Sequence, residues 1–193
     1  MNSREKILQT IGQNKPAYVA LPPVNSFITQ TDDLLNTFAE TLTASGGFCT
    51  VVADLQPVKD FVLQQKQKGL EVIVGVEGLS DNNIGSFKNY SAVQLQQVDT
   101  VVVKGSVAVA ENGAIWVTES SMGNRVLPFI SEHLIIVIDK ESIVANMHEA
   151  YKRITIDKEG YGVFIAGPSK TADIEQSLVV GAHGPLSLQV YII

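Results

Sequence analysis

The sequence predicts an α/β domain, a mostly parallel sheet with helices on both faces. Three observations predict it. Continuous apolar runs of strand length, among them "FCTVVA" (48–53), "EVIVGV" (71–76) and "HLIIVID" (133–139), are bounded by turn residues, as strands buried on both faces are. Segments of helical period alternate with these runs, the order that builds parallel sheets. The strand–helix–strand unit over 48–76 fits a right-handed parallel crossover.

Each element has a local reason. Ser3 can cap a short helix that buries Ile7, Leu8 and Ile11 and stops at Gly12. A proline-bearing connection follows. Thr31 then caps a second helix, with Asp32 and Asp33 in its first turn and Leu35, Phe38, Ala39 and Leu42 on its apolar face, ended by Ser45-Gly46-Gly47. After the 48–53 strand, Pro57 suits the first turn of a helix that buries Val58, Phe61 and Val62 and ends at Gly69. Residues 78–98 are polar and weakly patterned, a loop with a short helix. "DTVVVKGSVAVAENGAIWVTES" (99–120) holds two apolar runs around a Glu-Asn-Gly turn. Beyond the 133–139 strand, Asp139 caps a helix with Ile143, Met147, Ala150, Tyr151 and Ile154 on one face. "YGVFIAG" (161–167) reads as a strand, and "SLQVYII" (187–193) as an alternating one.

The whole chain sets bounds on function. Its 193 residues, 45% hydrophobic and 18% charged, fit one domain over 1–193, with 1–45 as a helical segment packed on it. A net charge of −6 without a basic cluster argues against nucleic acid as a partner. The one cysteine, Cys49, sits in an apolar run and makes neither an internal disulfide nor an iron–sulfur cage. Apolar runs are too short for a bilayer span, and the N-terminus has no apolar stretch of the secretory type. The reading is a cytoplasmic protein. The three histidines share no metal-ligand spacing, so no metal site is expected.

In an open α/β sheet, ligands bind beyond the carboxyl ends of strands. Three loops are read as leaving strands there. In the first, Gly167 allows a turn, and Ser169 and Thr171 can cap a helix starting near Ala172. Its free N–H groups would receive a small anion, with Lys170 adding charge. Asp173 and Glu175 in the first turn would satisfy the same dipole without a ligand. In the second, "GAHGP" (181–185), Gly181 and Gly184 flank His183, either a general base or a hydrogen-bonded structural residue. In the third, "AENG" (110–113), Glu111 is either a nucleophile or general base, with Asn112 helping to hold it or polarising a carbonyl, or a solvated residue of a type I′ hairpin turn.

"GPSKTADIE" (167–175) followed by "GAHGPLSL" (181–188) resembles the C-terminal signature of the LUD domain, the lactate-utilisation protein C (LutC/YkgG-type) family. "AVAENGAIWV" (108–117) and "LPFISEHLIIVI" (127–138) are similar to further stretches of that family. The resemblance implies the three-layer α/β/α sandwich of the NagB/RpiA/CoA-transferase-like group. It implies a component of bacterial L-lactate utilisation that acts with iron–sulfur partner proteins, with no cofactor in this chain and any cluster in the partners. The site would hold a small anionic metabolite between Gly167, Ser169, Lys170, Thr171, Asp173, Gly181 and Gly184, with Asn112 and Gly113 beside it. Glu111 and His183 would perform the chemistry. "AENG" is also similar to the Ser-Glu-Asn-Gly motif of class I CoA-transferases, with Ala110 in place of serine. That likeness implies an alternative: a free-standing CoA-transferase-like enzyme acting on an acyl-CoA or a phosphorylated small molecule, with Glu111 as nucleophile. A non-catalytic assembly subunit is the third reading.

Overall fold

The computed structural model describes residues 2–20, 33–79, 82–155, 160–172 and 178–193. The segment 21–32, including the Thr31 cap position, lies outside them, as does Asp173. The helices are α1 (Ser3–Gln13), α2 (Leu34–Ala44), α3 (Gln56–Gln67), α4 (Glu119–Met122), α5 (Leu127–Ile130) and α6 (Met147–Arg153). The strands are β1 (Phe48–Val51), β2 (Glu71–Val74), β3 (Val98–Lys104), β4 (Val107–Val109), β5 (Ala114–Thr118), β6 (His133–Ile138), β7 (Ile143–Val144), β8 (Gly162–Ile165), β9 (Lys170–Ala172), β10 (Leu178–Val180) and β11 (Ser187–Ile192).

The α/β class is as expected, and the central sheet is parallel throughout, in the order β1-β11-β6-β3-β2. Alternation along its strands separates two cores. Val72, Val74, Val102, Ile135 and Val137 face Val58 and Val62 of α3. Ile73, Val101, Val103, Leu134, Ile136, Leu188, Val190 and Ile192 face the other way, onto Phe38 and Leu42 of α2 and onto a second sheet. That second sheet, β7-β4-β5-β8, is mixed. Its outer face carries Val107, Val109 and Trp116 against Met147 and Ala150 of α6 and Ile154 just beyond its end.

Gly105 joins the two sheets. A Cβ there would lie 2.5 Å from Cγ2 of Ile115 and 2.8 Å from Cγ2 of Ile138. Only a glycine lets the chain leave β3 and enter β4 so close to both cores.

Several local expectations are corrected. α1 begins at an Asn2 capping box closed by Glu5, runs through Gly12, and buries no residue. Ile7, Leu8 and Ile11 are 52–59% exposed, so this part of the 1–45 segment does not pack its apolar face as expected. Asp33, rather than Thr31, caps α2, accepting from the Asn36 N–H. β1 is an edge strand with Phe48 and Val51 exposed, not one buried on both faces. The helix expected from Asp139 is divided. A short 3-10 turn (Lys140–Ser142) leads into β7, and α6 starts later, behind an Asn146 cap that accepts from the Glu149 N–H. β7 pairs with β4, which gives Ile143 and Val144 a sheet to join in place of a helical turn.

Candidate functional site

The two stretches "GPSKT" and "GAHGP" meet in space through the backbone of Ser169. Its N–H donates to the Pro185 carbonyl at 2.9 Å, and its carbonyl accepts from the Gly181 N–H at 3.0 Å. A Cβ on Gly184 would lie 3.0 Å from the Ser169 Cβ, so the glycine permits this contact. Gly167, at φ 76°, is buried against the Ser45 carbonyl behind α2, where a Cβ would come within 2.2 Å of oxygen. The Lys170 amine lies beside Gly46 at the end of the same helix. A cation there is favoured by the helix dipole even with no ligand.

Where a helix is expected to start, Lys170–Ala172 is extended, as is Leu178–Val180; residues 173–177 lie outside the described residues. β9 and β10 pair antiparallel, with Lys170 opposite Val180 and Thr171 opposite Val179. The β-branched Thr171, Val179 and Val180 favour the extended backbone. Thr171 therefore lies within a strand rather than at the first turn of a helix.

The position of the joined loops also differs from the expectation. Residues 181–186 precede β11, and the Leu186 N–H donates to the Glu132 carbonyl just ahead of β6. The loops therefore sit at the amino ends of the central strands. A cleft of about 450 Å³ there is lined by Gln96, Phe129, Ser131, Glu132, His183 and Gly184, among others. His183 is exposed. The Ser131 hydroxyl is buried and has no hydrogen-bond partner among the described residues. A buried hydroxyl without a partner is costly, and it was not foreseen, because a serine between "LPFI" and "EHL" carries no motif.

Glu111 turns the other way. Its Oε1 accepts from the Met147 N–H at 2.7 Å, and its own N–H donates to the Ala145 carbonyl at 3.1 Å, so it steadies the start of α6. The β4–β5 connection is the four residues 110–113, closed by the Gly113 N–H on the Val109 carbonyl and by Asn112 Oδ1 accepting from the Ala114 N–H. It is longer than the two-residue type I′ turn. The Ala110 carbonyl accepts from the Thr41 hydroxyl at 2.7 Å, and Gly113 is packed on the α2 backbone at Leu42. α2 thus touches both the Glu111 loop and the Gly167 loop, while Glu111 and His183 bond to or line different places.

The carboxyl ends of the parallel strands carry residues that the motifs did not mark. A cleft of about 470 Å³ there is lined by Leu55, Gly75, Glu77, Asn82, Lys104 and Ser121, among others. Lys104, at the end of "VVVK", pairs with Asp139 at 2.5 Å. The signal was a charged residue closing a buried strand. A neighbouring cleft of about 730 Å³ shares Ile84 and Ser120 with it and includes Arg125. Arg125 meets Glu119 side-on, Nε to Oε1 at 2.8 Å and Nη2 to Oε2 at 2.9 Å, with its guanidinium 4.8 Å from the Tyr161 ring centre. That hydrogen-bonded pairing, with the Arg125 charge, holds the Glu119 carboxyl below the ordinary glutamate range. Burial pushes the Cys49 thiol up.

The family model of the LUD domain matches residues 88–193, more than half of the chain. The chain is 36% identical over 101 residues to lactate utilization protein C of Shouchella clausii (strain KSM-K16), covering 50% of this chain and 44% of that one. It is 26% identical over 166 residues to lactate utilization protein C of Anoxybacillus flavithermus (strain DSM 21510 / WK1), covering 86% of this chain and 72% of that one. The chain spans about half the length of the first of these relatives. A crystal structure of a DUF162 family protein from Deinococcus radiodurans has the same fold at a TM-score of 0.61 and 20% identity, over 86% of this chain and 99% of that one. The chain belongs to the LUD domain family, among relatives of the lactate utilization protein C type.

Proposed function

We propose that this chain serves as a lactate-utilisation component of the protein C type, and that it takes a small carboxylate at the cleft beneath the joined 167–171 and 181–185 loops. The observation that carries the reading is the pairing of an exposed His183 with the unpartnered, buried Ser131 hydroxyl in one cleft. A bound carboxylate would give that hydroxyl the acceptor it lacks, and a ring N–H of His183 would be a second donor to it. Gln96 and Glu132 on the rim suit a ligand hydroxyl, which a 2-hydroxy acid supplies. Ser169 acts through the backbone, by holding the two loops together. With one cysteine in the chain, electron transfer is assigned to iron–sulfur partner proteins. Glu111 acts on α6 in this reading, rather than as a nucleophile.

A thermal-shift series tests it, with L-lactate, pyruvate, phosphate and acetyl-CoA on wild type, Ser131→Ala, His183→Ala and Glu111→Ala. A ligand at a hundredfold excess over its dissociation constant stabilises the folded state by about 2.7 kcal/mol. The expected result is a shift with lactate or pyruvate that Ser131→Ala and His183→Ala lose and Glu111→Ala keeps. A shift with acetyl-CoA alone, lost in Glu111→Ala, would replace this reading with the CoA-transferase-like one. No shift with any ligand would favour an assembly role, to be followed by co-purification with iron–sulfur partners.

A further inference from the structure

A cleft of about 730 Å³ lies away from the joined loops, over Ile84 and Gly123, and is lined by Lys88, Asn89, Tyr90, Glu119, Ser120, Asn124 and Arg125 among others. Its walls are set by specific bonds. Asn124 Nδ2 donates to the carbonyls of Phe87 at 3.0 Å and Tyr90 at 2.9 Å, which ties the 84–90 segment to the turn after α4. Gly123, at φ 65°, comes so close to Ile84 that a Cβ would be 2.7 Å from its carbonyl oxygen.

Arg125 is held in this cleft in a particular way. A guanidinium carries five N–H donors in a flat fork. The side-on pair with Glu119 uses Nε and one N–H of Nη2. Tyr161 covers one face. The outer edge, with Nη1 and the second N–H of Nη2, has no acceptor among the described residues. That edge is a preset fork for two oxygens of an anion. Lys88 lines the same cleft and is near enough to act on the Glu119 charge. Two cations against one carboxylate leave the described lining net positive, in a chain whose net charge is −6.

We infer that this cleft is a second ligand site, for a phosphate monoester whose oxygens are taken by the outer edge of Arg125 and by Lys88. A carboxylate has two oxygens, and the fork uses both. A phosphate offers a third for Lys88 and a second negative charge for the extra cation. At about 730 Å³ the cleft exceeds what a three-carbon acid fills and falls within the range of sites for larger metabolites. It adjoins the cleft at the carboxyl ends of the parallel strands through Ile84 and Ser120, the end where open α/β sheets bind ligands. The organic part of the ester extends that way, towards Gly75 and Lys104. The site stands independently of the carboxylate cleft beside His183.

The test is an amide chemical-shift titration of the full 193-residue chain with phenyl phosphate, and with benzoate as the carboxylate of matched body. Phenyl phosphate is expected to perturb Gly85, Gly123 and Asn124 and to bind at least tenfold more tightly than benzoate. Arg125→Lys keeps the charge but removes the fork, and weakens phenyl phosphate binding at least tenfold. Lys88→Ala removes the preference for phosphate over benzoate and leaves benzoate binding unchanged. His183→Ala leaves both unchanged, which separates this site from the carboxylate cleft. Equal affinity for the two probes, perturbation confined to residues outside this cleft, full binding by Arg125→Lys, or no binding by wild type would each overturn the proposal.

Discussion

Single residues carry much of this architecture, and Gly113 is the clearest case. Its φ is 67°, and a Cβ would sit 2.8 Å from both N and Cα of Leu42 in the α2 backbone. Left-handed backbone costs a non-glycine residue about 1–2 kcal/mol, and a helix backbone cannot move aside as a side chain can. Gly113→Ala is expected to cost at least about 2 kcal/mol, a fall of roughly 4–8 °C in thermal midpoint for a chain of this size. Gly12→Ala is the control, because nothing lies within 4 Å of a Cβ there; equal midpoints for the two variants would disprove the close approach. The Glu119–Arg125 pair makes a pH prediction. The folded carboxyl titrates below its unfolded value, so the pair's contribution is complete above the ordinary glutamate range of about 4.3. It is lost as pH falls through the lower folded value. A carbon-detected titration is expected to give Glu119 a midpoint below the ordinary glutamate value. Arg125→Gln is expected to bring it back to the ordinary value, and an unchanged midpoint in that variant would show that the arginine is not the cause.

At the scale of elements, α6 depends on two caps of unequal weight. Asn146 is buried and accepts from the Glu149 N–H, whereas Glu111 is exposed where it accepts from Met147. Water can replace an exposed acceptor but not a buried one. Asn146→Ala is expected to cost about 1–2 kcal/mol and Glu111→Ala less than about 1 kcal/mol, read as urea midpoints at unchanged slope; the reverse order would give Glu111 the larger structural role. The same scale explains what could be read from the sequence. Pro57, the apolar face of Val58 and Val62, and Gly69 identify α3 with no tertiary information. The alternation of "SLQVYII" foretells the buried Leu188, Val190 and Ile192. By contrast, "FCTVVA" reads the same whether its strand is central or at an edge, because apolar content does not report the number of neighbours. The split at Ile143 depends on pairing with β4, a partner 35 residues away at Ala108. For the candidate site, the two glycine-flanked stretches were legible and do come together, yet what makes 170–172 a strand is its antiparallel pairing with Leu178–Val180. The buried Ser131 and the oriented Arg125 gain their character only from what surrounds them in space.

For the molecule as a whole, the strand order sets where stability resides. β11, β6 and β3 each have a hydrogen-bonded strand on both sides, and between them they supply both cores with Leu134, Ile135, Ile136, Val101, Val102, Leu188 and Val190. Opening any one of them breaks two ladders and exposes both faces, so their amides can exchange only by opening most of the domain. β1 has a neighbour on one side alone, and its Phe48 and Val51 are 61% and 58% exposed. α1 buries nothing, and an isolated helix of its 11 residues is marginal in water. Hydrogen-exchange mass spectrometry is therefore expected to rank the segments. Peptides covering 98–104, 133–138 and 187–192 should exchange slowest and together, at rates set by global unfolding. Those covering 48–51 should exchange faster, and 3–13 within seconds. The helix is the sensitive part of this ranking. Its Ile7, Leu8 and Ile11 form an apolar stripe that the described fold leaves in water, so strong protection of 3–13 would mean that the stripe is covered in solution. Protection that appears only at high protein concentration would identify the cover as a second copy of the chain, whereas protection independent of concentration would require α1 to dock on its own domain and would overturn its placement here.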